Sequence, residues 1–129
     1  MTSTSFSGEL PRSISNLRHL SELDLSNCQI NGTLPNSLSN LTQLTHLEFS
    51  FNNFSSPMPS FGMAKKLTHL HLSQNGLSGA IPSSFHFEGL QNLLSIDLNN
   101  NSIHGAFLHL FLPFHHCRRF NFRSTSLAK

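Results

Sequence analysis

The chain has 129 residues, enough for one small domain. Only 11% of them are charged and the formal net charge is +2, which leaves no room for the basic stripe of a dedicated nucleic-acid binder. The longest apolar run, Ala106 to Phe114, is too short to span a bilayer and contains His109, no basic-then-apolar leader opens the chain, and Cys28 and Cys117 alone make no disulfide scaffold.

Prolines set the frame. Pro11, Pro35, Pro59 and Pro82 follow one another at spacings of 24, 24 and 23 residues. Aligned on them, the chain repeats L-x-x-L-x-x-L-x-L-x-x-N-x-L-x-G-x-I-P. Residues 1–16 hold part of a unit, with Phe6, Gly8, Leu10 and Pro11 in frame. Four units fill residues 17–105, starting at Leu17, Leu41, Ala64 and Leu90. The organisation expected is therefore a partial repeat, four full repeats and a tail over residues 106–129.

Within each unit an L-x-L pair predicts a short strand with one buried face: Leu23/Leu25, Leu47/Phe49, Leu70/Leu72 and Ile96/Leu98. Successive strands are expected to pair in parallel. The residue at the turn, Asn52, Asn75 or Asn101, must find backbone partners for its amide in its own and adjacent coils, so these side chains form a ladder. Cys28 takes the same place, where the repeat pattern accepts Asn or Cys. Glycine permits the tight turn, and the following Ile-Pro opens an extended return. No unit can bury its apolar edge alone, so the stack makes the core.

The L-x-G-x-I-P segment resembles the signature of plant-specific leucine-rich repeats. The stretches LSELDLSNCQINGTLPNSLSNLTQL, FGMAKKLTHLHLSQNGLSGAIPSSF and FEGLQNLLSIDLNNNSIHG are similar to ectodomains of plant receptor-like proteins of the disease-resistance type. The resemblance implies an α/β-type leucine-rich repeat solenoid. It would be a short right-handed superhelix of about 4.5 plant-type repeats, with one parallel sheet on the concave face. It implies a fragment of a cell-surface receptor-like protein that binds a protein or peptide ligand, together with a co-receptor, in defence or developmental signalling. The parent would sit in the plasma membrane with this region outside the cell. A small soluble inhibitor or scaffold, or a truncated product without independent function, are the other readings. With half a unit before Leu17 and the repeat ending at Gly105, marginal folding and association through open sheet edges are expected.

The tail departs from the frame. It holds five of the twelve Phe and four of the eight basic residues. Codon degeneracy permits a further I-P and L-x-x-L series two bases out of frame, so the tail is expected to be a frameshifted repeat. A Phe-faced cap is the other reading.

The x positions of the strands are expected to line the concave face in four rows. These are Glu22, His46, His69 and Ser95; then Asp24, Glu48, His71 and Asp97; then Ser26, Ser50, Ser73 and Asn99; then Asn27, Phe51, Gln74 and Asn100. Four of the six acidic residues fall in the first two rows. Glu22, Asp24, His46, Glu48, Phe51, His69, His71 and Asp97 are the candidate ligand-binding residues: carboxylates steer a partly basic peptide and Phe51 anchors it. Polar strand positions facing water are the plainer reading. An open sheet that admits water makes a poor zinc site for the histidines, so no metal and no cofactor is expected. Sequons at Asn31, Asn40, Asn53 and Asn100 are candidate glycosylation sites in a secreted chain. No G-x-S-x-G, Walker, H-E-x-x-H or C-x-x-C motif occurs, and no enzyme is expected.

Overall fold

The computed structural model describes residues 8–59, 61, 63–80, 92–104 and 119–121. Each coil contributes a three-residue strand to one side of the stack. These are β2 (Glu22–Asp24), β4 (His46–Glu48), β6 (His69–His71), β8 (Ser95–Asp97) and β10 (Arg119–Asn121). They form one parallel sheet in the order β10-β8-β6-β4-β2. The register is that of the repeat: Leu23 pairs with Leu47, Leu47 with Leu70, and Leu70 with Ile96. This row points inward because alternate strand side chains take opposite faces. Leu47, Leu70 and Ile96 are fully buried, as are Phe49, Leu72 and Leu98 two residues on.

The return segments form a second parallel sheet, which the single expected sheet did not include. Its strands are β1 (Gly8–Glu9), β3 (Ile30–Thr33), β5 (Asn53–Pro57), β7 (Gly76–Ala80) and β9 (Ser102–His104), in chain order. Four of them lead toward Pro11, Pro35, Pro59 and Pro82, and backbone before proline favours the extended region. Stacking at the repeat period then brings the segments into hydrogen-bonding distance. Behind the prolines, 3-10 turns at Arg12–Asn16 and Asn36–Asn40 bring the chain back toward the first sheet. Between the sheets lies a continuous core including Ile30, Leu38, Leu41, Leu44, Phe54, Phe61, Leu67, Leu77 and Ile103.

The ladder is built as the repeat requires. Asn52 Oδ1 accepts from the amides of Cys28 and Ile30, both at 3.0 Å, and its Nδ2 donates to Leu25 O (2.8 Å) and Phe49 O (2.9 Å). Asn75 and Asn101 repeat the arrangement one and two coils on, with Oδ1 accepting from Phe54 and Leu77. Cys28 is buried in the series with its thiol 3.3 Å from Ser26 O.

One element lies in the tail. Arg119–Asn121 pairs with Ser95–Asp97, so Phe120 falls 24 residues after its register partner Ile96. The repeat rhythm thus extends into the segment expected to leave it. The rest of the tail lies outside the described residues.

Candidate ligand-binding face

Six of the eight candidate residues converge. Glu22, Asp24, His46, Glu48, His69 and His71, with Leu23 and Leu47 as floor, line a shallow groove of about 240 Å³ over β2, β4 and β6. Two larger hollows lie elsewhere, along Glu9 to Ser37 and around Ser15, Arg18 and Thr42, without such a concentration of ionisable groups. Asp97 lies on β8 and is not among the groove's lining residues.

Phe51 is placed differently from the expectation. It sits in the turn after β4 with φ +61°, is 58% exposed and does not line the groove. Asn27, Gln74 and Asn100 share this left-handed backbone, which Asn tolerates and a bulky side chain adopts at a cost. Phe51→Asn is therefore expected to raise stability by about 1 kcal/mol, measured by urea denaturation. The third row also departs from the expected groove. Ser50 and Ser73 are buried and joined by a 3.0 Å hydroxyl–hydroxyl bond, because the chain turns inward after the second row.

Second-row carboxylates hold the turns. Asp24 Oδ1 accepts from Ser26 N–H (3.0 Å) and its hydroxyl (2.8 Å), Glu48 Oε1 from Ser50 N–H (3.2 Å), and Asp97 Oδ1 from Asn99 N–H (3.1 Å). Such local bonds are the usual work of short acidic side chains at turns. His71 takes the place of a carboxylate in the third coil and turns to its neighbours. Its Nδ1 lies 2.7 Å from Glu48 Oε2, and its Nε2 lies 2.8 Å from Ser95 Oγ.

Burial pushes the Glu48 carboxyl up. Hydrogen bonds from His71 and Ser50, and the charge of His71, outweigh it and hold the group below its ordinary value. A folded-state value below the unfolded one adds stability above the ordinary carboxylate range, lost as pH falls through the lowered value. The stability gap between the wild type and Glu48→Gln is thus expected at neutral pH and to close in strong acid. Melting curves against pH measure it.

The other two histidines are fixed from below. Thr45 Oγ1 donates to Ser21 O and Thr68 Oγ1 to Thr45 O, both at 3.0 Å. Each hydroxyl has one proton, so its contact with the next imidazole, at 2.9 Å to His46 Nδ1 and 2.8 Å to His69 Nδ1, requires the proton on nitrogen. Both rings are therefore Nδ1–H, and they stack with centroids 4.2 Å apart at 9°. His46 Nδ1 stands 4.0 Å from Glu22 Oε2, an exposed pair that contributes little to stability. Among the described residues no three His, Cys, Asp or Glu side chains are placed to hold a metal ion, and no helix is long and apolar enough to cross a membrane.

The sequons Asn31, Asn40, Asn53 and Asn100 are all exposed. Asn31 and Asn53 are register partners on β3 and β5, on the sheet away from the groove.

A search of curated proteins finds no match. The family model Leucine Rich Repeat matches residues 19–41, 43–63 and 66–87. Among solved structures, the plant peptide hormone receptor RGFR1 in complex with RGF2 is 36% identical at a TM-score of 0.87, over 94% of this chain and 19% of that one. The ectodomain of the receptor kinase SOBIR1 from Arabidopsis thaliana is 30% identical at 0.84, over 97% of this chain and 68% of that one. The Arabidopsis receptor kinase HAESA, in complex with the peptide hormone IDA and the co-receptor SERK1, is 28% identical at 0.81, over 94% and 20%. The chain thus spans about a fifth of the peptide-bound ectodomains. Its repeat frame, its asparagine ladder and these matches agree: the chain belongs to the leucine-rich repeat family, in the form found in plant receptor ectodomains.

Proposed function

We propose that the concave face binds a protein or peptide ligand carrying basic side chains, as part of the extracellular recognition surface of a plant receptor-like protein in defence or developmental signalling. The observation that carries this reading is the convergence of Glu22, Asp24 and Glu48 with three histidines in one groove. The complexes of the peptide hormone receptor RGFR1 with RGF2 and of HAESA with the peptide hormone IDA support it by similarity, and the HAESA complex supports a co-receptor as a further partner. Carboxylates on an open face act mainly on encounter rate and on the choice of partner. Phe51 offers an exposed aromatic ring beside the groove for a ligand that runs past β4.

The test is binding of arginine-containing peptides to the immobilised chain, with Glu22→Lys and, as a control on the second-sheet side, Arg12→Glu. Glu22→Lys is expected to slow association about tenfold at low salt, an effect that shrinks at high salt, while Arg12→Glu leaves the rate unchanged. Equal effects at both positions, or no peptide bound at any salt, would sink the reading.

We also propose that Asn31, Asn40, Asn53 and Asn100 are glycosylated when the chain enters a secretory pathway. Register places Asn31 and Asn53 on adjacent strands, roughly 4.8 Å apart, too close for two bulky sugar trees. Mass spectrometry of secreted protein is expected to show at most one glycan on that pair. Molecules carrying both would contradict it.

A further inference from the structure

Three side chains on three successive strands form a connected relay. Glu48 on β4 contacts His71 Nδ1 at 2.7 Å, and His71 Nε2 on β6 contacts Ser95 Oγ on β8 at 2.8 Å. For the neutral imidazole the directions follow from chemistry. Glu48, held below its ordinary range, is an acceptor, so His71 Nδ1 carries the proton. In that form of the ring, Nε2 presents its lone pair to the Ser95 hydroxyl, which donates to it. Asp97, the register partner of His71, is tied to Asn99 N–H, and His69 stands edge-on to His71 at 6.0 Å. A nucleophile bonded to a base, with the base oriented by a third group, is the arrangement that activates a hydroxyl whatever the fold.

We propose that Ser95 is an activated nucleophile, with His71 as its general base and Glu48 as the positioning residue, and that it accepts acyl groups from small activated esters. Ser95 is only 5% exposed, which restricts the electrophile to a small one. In the step, Ser95 Oγ bonds to the ester carbonyl carbon and its proton passes to His71 Nε2. The carbon–oxygen bond to the leaving group breaks, and that oxygen takes the proton from His71. Water then attacks the acyl carbon, again through His71, releasing the acid and restoring the serine hydroxyl.

The size of the effect is bounded. The amides of Leu94 and Ser95 both donate to Thr68 O, at 2.8 and 3.1 Å, so neither is aimed at a developing oxyanion. The gain expected is therefore the share of general-base catalysis, roughly 10²–10⁴-fold over a free serine hydroxyl, without the further factor an oxyanion donor supplies.

The test treats the full chain with methanesulfonyl fluoride, a small serine-directed electrophile, and maps the adduct by peptide mass spectrometry, with p-nitrophenyl acetate hydrolysis followed in parallel. One methanesulfonyl group on Ser95 Oγ, with loss of hydrogen fluoride, is expected in the wild type. Ser95→Ala and His71→Gln, each shown to be folded by circular dichroism at the assay temperature, should lose it. Glu48→Gln should slow both reactions about tenfold or more and displace the pH profile of ester hydrolysis, which a merely structural tie would not do. No adduct on folded wild type, an adduct on another residue, or a rate unchanged in His71→Gln would overturn the proposal. The mapping on wild type needs no variant to fold. Peptide binding at Glu22 is measured separately, so either result stands without the other.

Discussion

Asn52→Ala is expected to remove about 3 kcal/mol of stability or more, a large share of what a small repeat array has. The side chain accepts from two amides of the preceding coil and donates to one carbonyl there and one in its own. Alanine takes this partner from all four in a partly buried channel. Phe49 O keeps Asn75 Nδ2 at 3.1 Å, and the loss at each of the other three groups costs roughly 1–3 kcal/mol. The effect should also spread. Neighbouring coils share these bonds, so the loss uncouples the first complete unit from the second, and a folded remnant from the second unit onward is the expected product. Urea denaturation followed by circular dichroism measures it. A midpoint within experimental error of the wild type would show that the ladder is ornamental.

Phe49→Ala should cost about 3–5 kcal/mol. Phe49 and Phe54 are both fully buried, with ring centroids 5.4 Å apart at 21°, so the substitution empties the middle of the core beside a second ring. The comparison with the first unit sharpens the test. Leu23 holds the same strand position as the fully buried Leu47 and Leu70 but is only partly buried. Leu23→Ala should accordingly cost less than Leu47→Ala or Leu70→Ala, in the same urea titration. Equal costs would mean that the first coil is as well packed as those inside the stack.

Much of this was legible in the sequence because a repeat fixes both spacing and face. Leu47, Leu70 and Ile96 are called by strand alternation, and the ladder by a polar residue at one place in each unit. The rows of the concave face follow from register, and so does the convergence of six of the eight candidate residues in one groove. The second sheet was less legible. Its strands carry Gly32, Ser55 and Gly79 rather than alternating apolar residues, and they exist because stacking brings extended segments together. Gly32 shows how close that approach is. A Cβ there would stand 2.6 Å from Glu9 Cγ, and its φ is +84°. Phe51 leaves its expected row because row counting assumes extended backbone, and the chain has already entered the left-handed turn. The burial of Ser50 and Ser73 has the same origin. Ser95 falls in the first row and its partner His71 in the second, so spacing alone assigns it no role. Such a diagonal contact depends on side-chain rotamers, which spacing does not specify. The residue type at position 71 was the available signal: a histidine stands where the other coils have Asp24, Glu48 and Asp97.

Hydrogen–deuterium exchange on the whole chain tests the stacked architecture most directly. The amides of Leu25, Phe49 and Leu72 each donate to the next coil, to Glu48 O, His71 O and Asp97 O at 2.8–2.9 Å. They can exchange only when coils separate, whereas amides in the exposed loops are free to exchange early. The slowest sites are therefore expected to recur at these strand ends, every 23 or 24 residues. Protection confined to one continuous block, or fast exchange at all three amides, would contradict a fold held together coil against coil.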